Sequence, residues 1–67
     1  MNTLTVNGKS HPHAENMTVS SLLAAVHKGS GMVVVEVNGV IIPREKYDAT
    51  PLNKGDSVEI VHFVGGG

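Results

Sequence analysis

The chain has no cysteine and no tryptophan, and only one tyrosine, one phenylalanine and three prolines among its 67 residues. Without cysteine there is neither a disulfide framework nor a thiolate metal site, so a small core must hold by packing alone, and a reducing cytoplasm is the expected compartment. Residues 1–15 contain no apolar stretch of the kind a secretory signal needs, and no apolar run reaches the roughly 20 residues of a membrane helix. Charge of neither sign accumulates. Five basic against six acidic residues, scattered singly, leave a formal net charge of −1. That balance excludes a basic stripe for nucleic acid and a polybasic patch for a membrane, which leaves proteins as the expected partners. At this length one domain is expected, and it buries only about 60% of the surface its unfolded chain exposes.

The apolar residues that are present fall in short, patterned runs. Leu4, Thr5 and Val6 alternate and run into Asn7-Gly8, a two-residue hairpin signal because both central positions need positive φ. A second strand is expected over residues 10–15. Thr18 then precedes Val19, Leu22, Leu23 and Val26, whose i, i+3, i+4, i+7 spacing puts them on one face of a helix over residues 19–28. Thr18 suits its N-cap, Met17 a hydrophobic staple onto Leu22, and Gly29 a left-handed C-cap. Residues 32–37, MVVVEV, are dense in β-branched side chains and read as an inner strand, followed by a second hairpin signal at Asn38-Gly39. Residues 40–42 make a short strand stopped by Pro43. Residues 44–56 read as an irregular crossing with one helical turn, from which Tyr47 and Leu52 reach the core. A last strand covers residues 57–63. This order packs one helix on one face of a mixed sheet of about five strands, an α+β arrangement that at this size suggests the ubiquitin-like β-grasp. The domain is expected to span residues 1–64, with residues 65–67 as a flexible C-terminal glycine tail.

Several motifs invite chemistry that their context denies. Gly8-Lys9-Ser10 mimics the end of a phosphate-binding loop, but the position of that loop's first glycine is held by Thr3, inside the first strand, so a hairpin turn is the better reading and no nucleotide is expected on this chain alone. His11 and His13, two apart, would share one face of a strand, yet two ligands do not make a metal site; both read as solvated surface histidines. His27 suits the negative end of the helix dipole. The serines form no triad-like grouping, Glu36 reads as one solvated position, and a catalytic role is not expected.

The last strand is different, because its alternation does not sort into one apolar and one polar face. If Val58 and Ile60 face the helix, Glu59, Val61 and Phe63 face solvent and leave an apolar pair next to the tail, suited to partner docking. Alternatively Phe63 folds over a core edge, or the register slips by one residue and the two faces exchange. Beyond it lie Val64 and then Gly65, Gly66 and Gly67. Four residues reach at most about 13–14 Å, enough to carry a terminal carboxylate into another protein's active site. The glycines directly abut an apolar strand with no linker-like serine, and glycine permits close backbone approach in a narrow channel. An α-carboxylate, ionised at neutral pH because it titrates near about 3.5, is a poor electrophile and must be activated, for instance as an acyl-adenylate, before a sulfur or nitrogen nucleophile attacks.

The VNG stretch near the start, PREKY at residues 43–47, GDSVEIVHFVGGG at residues 55–67 and the total length together resemble the ThiS family, the ubiquitin-like sulfur carriers of thiamine biosynthesis. The resemblance covers nearly the whole chain and is most specific in its C-terminal block. It implies that a ThiF-like adenylating enzyme, related to ubiquitin-activating enzymes, uses ATP to adenylate Gly67. Sulfur from cysteine, delivered through a cysteine desulfurase persulfide, then makes a thiocarboxylate, and a ThiG-like thiazole synthase takes that sulfur. It also implies that Gly65 and Gly66 are recognised as tail, that Val61, Phe63 and Val64 dock the partner, and that the chain is a substrate rather than an enzyme. A bare Gly-Gly end also occurs in ubiquitin-related modifiers and in the small subunit of molybdopterin synthase. A carrier for another sulfur-requiring pathway and a ubiquitin-like modifier or binding module therefore stand as alternatives. The internal lysines Lys9, Lys28, Lys46 and Lys54 do not exclude the last.

Overall fold

Both Asn-Gly pairs adopt the positive φ that their hairpins need, +49° and +81° at Asn7 and Gly8 and +50° and +84° at Asn38 and Gly39. In the computed structural model, which describes residues 2–27 and 31–63, these turns join β1 (Thr3–Val6) to β2 (Lys9–Pro12) and β3 (Met32–Val37) to β4 (Val40–Ile42). Between the hairpins lies the helix α1 (Val19–Val26), and after them a 3-10 turn (Arg44–Lys46) leads to β5 (Ser57–Phe63). The five strands form one sheet in the order β2-β1-β5-β3-β4. β5 is thus the central strand, parallel to β1 and antiparallel to β3. With a single helix on one face, this is the β-grasp expected from the element order.

The start of α1 is held by local and distant groups together. Thr18 Oγ1 accepts from the Ser21 amide at 3.2 Å while Ser21 Oγ accepts from the Thr18 amide at 2.9 Å, a capping box with serine in the place usually held by Glu or Gln. The first-turn amides of Val19 and Ser20 donate to the carbonyls of Thr50 and Tyr47, and Ser20 Oγ donates to the Asp48 carboxylate. The Leu52 amide donates to the Met17 carbonyl at 2.9 Å. The irregular crossing therefore satisfies donors that a helix N-terminus leaves unpaired, which fixes the crossing against the helix. Leu4, Val19, Leu22, Val35, Leu52 and Val58 are fully enclosed, and Met17, Leu23, Tyr47 and Ile60 are among the partly buried side chains packed on them.

Three expectations change. β2 ends at Pro12 rather than at residue 15, because Pro12 already stands opposite Thr3, the first residue of β1; the His13 amide then reaches Asn2 and the chain turns at Asn16, φ +61°. Beyond Thr3 there is no strand left to pair with. His13 consequently leaves the strand pattern and is not simply solvated: its Nε2 lies 2.7 Å from the Leu52 carbonyl, which it meets as a donor in a partly buried bond. α1 ends at Val26, with His27 as an extended C-cap whose amide donates to the Leu23 carbonyl at 2.8 Å. Lys28 and the expected cap Gly29 lie outside the described residues. Among those residues no helix is long and apolar enough to cross a membrane.

Candidate functional site

The strand alternation of β5 is resolved by its register with β3. Val58, opposite Val37, is fully enclosed, and Ile60 stands opposite the enclosed Val35, so these residues and His62 face α1. Glu59, Val61 and Phe63 face the other way, onto the sheet face opposite α1, which no helix among the described residues covers. There Phe63 stands opposite Met32, Val61 opposite Val34, and Glu59 opposite Glu36, while Ile41 of β4 lies beside Glu36. Val61 is 49% exposed, Phe63 53%, Ile41 63% and Met32 68%. The register groups Met32, Val34, Val61 and Phe63 as an apolar patch at the C-terminal end of β5, with Ile41 beside the Glu36–Glu59 rung that borders it. Phe63 does not fold over the core, and the register is not slipped.

The acidic rung of the patch carries a stability cost. Glu36 and Glu59 stand directly opposite one another, and like charges in that position repel. Glu59→Gln is expected to stabilise the domain by roughly a few tenths of a kcal/mol at low salt and less at high salt, because exposed charges are screened. A urea titration reads this as a higher midpoint with an unchanged slope; an unchanged or lower midpoint would contradict it.

Both hairpin asparagines do more than turn the chain. Pairing of β5 with β1 ends at Val58, and from there the Asn7 side chain takes over: Oδ1 accepts from the Ile60 amide at 2.7 Å and Nδ2 donates to the Ile60 carbonyl at 3.2 Å. Asn38 does the same work at the other end of β5, where Oδ1 accepts from the Ser57 amide at 2.9 Å and Nδ2 donates to Asp56 Oδ1 at 3.1 Å. An amide side chain supplies donor and acceptor together, which aspartate cannot. Sequence reasoning sees these residues only as turn formers; the choice of Asn over Asp at both turns was the available signal. From Val61 to Phe63 the strand pairing of β5 runs along β3 alone.

The remaining candidates do not converge. His11 and His13 sit at the far side of the sheet, with His11 Nδ1 engaged by the Pro12 carbonyl at 2.9 Å. Among the described residues no group of three or more His, Cys, Asp or Glu side chains could hold a metal. A cleft of about 80 Å³ lined by Gly31, Met32, Val33, Arg44 and Tyr47 lies near the end of β5, small against the roughly 300–1,000 Å³ of a ligand pocket. Val64, Gly65, Gly66 and Gly67 lie outside the described residues.

The model described as the ThiS family matches residues 3–67. The chain is 42% identical over 65 residues to the sulfur carrier protein ThiS of Bacillus subtilis, covering 96% of this chain and 98% of that one. It is 41% identical over 64 residues to a thiazole synthase of Paramagnetospirillum magneticum, covering 96% of this chain but only 20% of that longer protein. Among solved structures, the crystal structure of the thiamine biosynthesis protein (ThiS) from Geobacter metallireducens superposes with a TM-score of 0.73 at 41% identity, over 97% of this chain and 99% of that one.

Proposed function

We propose, since the chain belongs to the ThiS family, that it is a sulfur carrier of thiamine biosynthesis and that the Gly67 carboxylate bears the sulfur. The chain is the substrate and carrier in this reading, not the enzyme. The observation that carries it is the apolar patch of Val61 and Phe63, open on the sheet face opposite α1 at the end of the strand that leads to the tail. A ThiF-like adenylating enzyme docks on that patch, with Val64 completing it, and receives the tail, in which Gly65 and Gly66 have no side chains to obstruct a channel.

The chemistry balances in three steps. A Gly67 carboxylate oxygen attacks the α-phosphorus of ATP bound by the partner, the bond to the leaving phosphate breaks, and pyrophosphate departs. The terminal sulfur of a persulfide, formed on a cysteine desulfurase from cysteine, attacks the Gly67 carbonyl carbon and expels AMP, leaving an acyl persulfide. A thiol then attacks the desulfurase cysteine's own sulfur; the S–S bond breaks, a disulfide forms between the thiol and that cysteine, and the chain keeps the transferred sulfur as a thiocarboxylate. The likeness to a thiazole synthase supports a ThiG-like thiazole synthase, rather than molybdopterin synthase, as the protein that takes the sulfur.

Incubation with the adenylating enzyme, ATP, cysteine and desulfurase is expected to raise the intact mass by the difference between sulfur and oxygen, with fragmentation placing the change on Gly67. An unchanged mass, with an enzyme set active on another carrier of the family, would overturn the reading.

A further inference from the structure

We propose that Gly31 is a positioning residue for the C-terminal tail. Gly31 immediately precedes β3, opposite the end of β5, with φ +114°. A β-carbon built on it would lie 3.0 Å from Nε2 of His62 and 3.3 Å from the Phe63 carbonyl oxygen, both inside ordinary van der Waals separation. That carbonyl belongs to the peptide joining β5 to Val64, a rigid plane and the last described piece of backbone before the tail. The His62 ring also meets His27, the C-cap of α1, edge to face with centroids 4.7 Å apart and planes at 77°.

The end of α1, the backbone of Gly31 and the root of the tail therefore form one packed unit. A bare backbone at position 31 lets the imidazole and the carbonyl seat against it, and that seating holds the Phe63 carbonyl, the group from which the tail continues. Any side chain at position 31 presses on the root itself and also strains a backbone in the positive-φ region. Val61 and Phe63 point to the opposite face, so a change at Gly31 leaves the docking patch in place while redirecting the tail. This inference rests on Gly67 being the acceptor, because only then does the direction of the root bear on a reaction.

The test is ATP–pyrophosphate exchange by the adenylating enzyme, with the concentration of the chain varied and rates normalised to the folded fraction by circular dichroism. The neighbours of a β-carbon at these distances must give by a few tenths of an ångström, and since about 1 Å at a reacting centre costs about 100-fold, Gly31→Ala is expected to lower kcat about fourfold with KM within about twofold. In a His62→Ala background, where the closest atom is gone, the same substitution is expected to cost less than about twofold, a coupling that independent sites do not give. Unchanged kcat per folded molecule, a rise in KM alone, or losses that multiply undiminished in the double variant would each overturn the proposal. Should Gly31→Ala alone fold too poorly to assay, the double variant carries the test: it must fold and exchange near the His62→Ala rate, and a double variant as unfolded as the single one overturns the inference. Failure of the unaltered chain to support exchange would instead remove the reading of Gly67 beneath it.

Discussion

A chain carrying one alanine beyond Gly67 is expected to take up no sulfur, while melting at the same temperature as its parent. The added residue turns the Gly67 carboxylate into an amide carbonyl, which has no anionic oxygen to attack the α-phosphorus of ATP. The new carboxylate stands about 3.3–3.6 Å further along the tail. Reacting atoms must come within about 3–3.5 Å in the right orientation, and an error of 1 Å costs about 100-fold, so a displacement of a whole residue leaves nothing measurable. The added methyl group also enters a channel that the three preceding glycines leave unobstructed. Among the described residues every enclosed core side chain lies between Leu4 and Val58, so stability is expected to be untouched. Intact-mass analysis after incubation with the enzyme set decides it: an extended chain that still gained sulfur would mean that the terminal carboxylate is not the site.

Val61→Gln combined with Phe63→Gln is expected to raise the KM of the adenylating enzyme about 100-fold, equivalent to about 2.7 kcal/mol, with kcat little altered. Full burial of a valine or phenylalanine side chain contributes about 1.5–3 kcal/mol. Both side chains are already about half covered, at 49% and 53% exposed, so docking completes only half of that for each. The two together supply a value near the one expected, and burying unpaired amides adds to it. Glutamine is preferred to a charged residue because Glu36 and Glu59 lie on the same face and would confuse docking with repulsion. Surface substitutions stay within about ±0.5 kcal/mol, which for a domain of this size is a shift of at most about 4 °C in Tm. An unchanged KM would remove the patch as a docking surface. A fall of Tm by ten degrees or more would mean that these side chains pack on the core, against the facing that the β3–β5 register gives them.

The tail and the docking patch differ in how far they could be read from sequence. The proposed tail rests on a local signal, three consecutive glycines after an apolar strand, which the resemblance of residues 55–67 to a carrier family makes specific. The hairpins at Asn7-Gly8 and Asn38-Gly39 and the limits of β3, β4 and β5 were legible for the same reason: φ preference and β-branching act within a few residues. The end of β2 was not, since it depends on where β1 begins across the hairpin. Nor was the end of α1, where His27 takes an extended backbone. The second roles of Asn7 and Asn38 were also hidden, because their partners on β5 lie 53 and 19 residues away in sequence.

The sequence by itself determined the elements and their order, which arise from covalent geometry and from side-chain preferences over short distances. It also determined that Val58 and Ile60 oppose Glu59, Val61 and Phe63, since successive strand side chains must alternate. Only the tertiary structure decided which of those two sets meets the helix and which is left open to a partner. A period of two is symmetric under a shift of one residue, and the choice is made by the pairing of Val58 with Val37 and of Ile60 with Val35 against α1. The same pairing brings Gly31 against the root of the tail, a contact that no stretch of the chain contains until the sheet has formed.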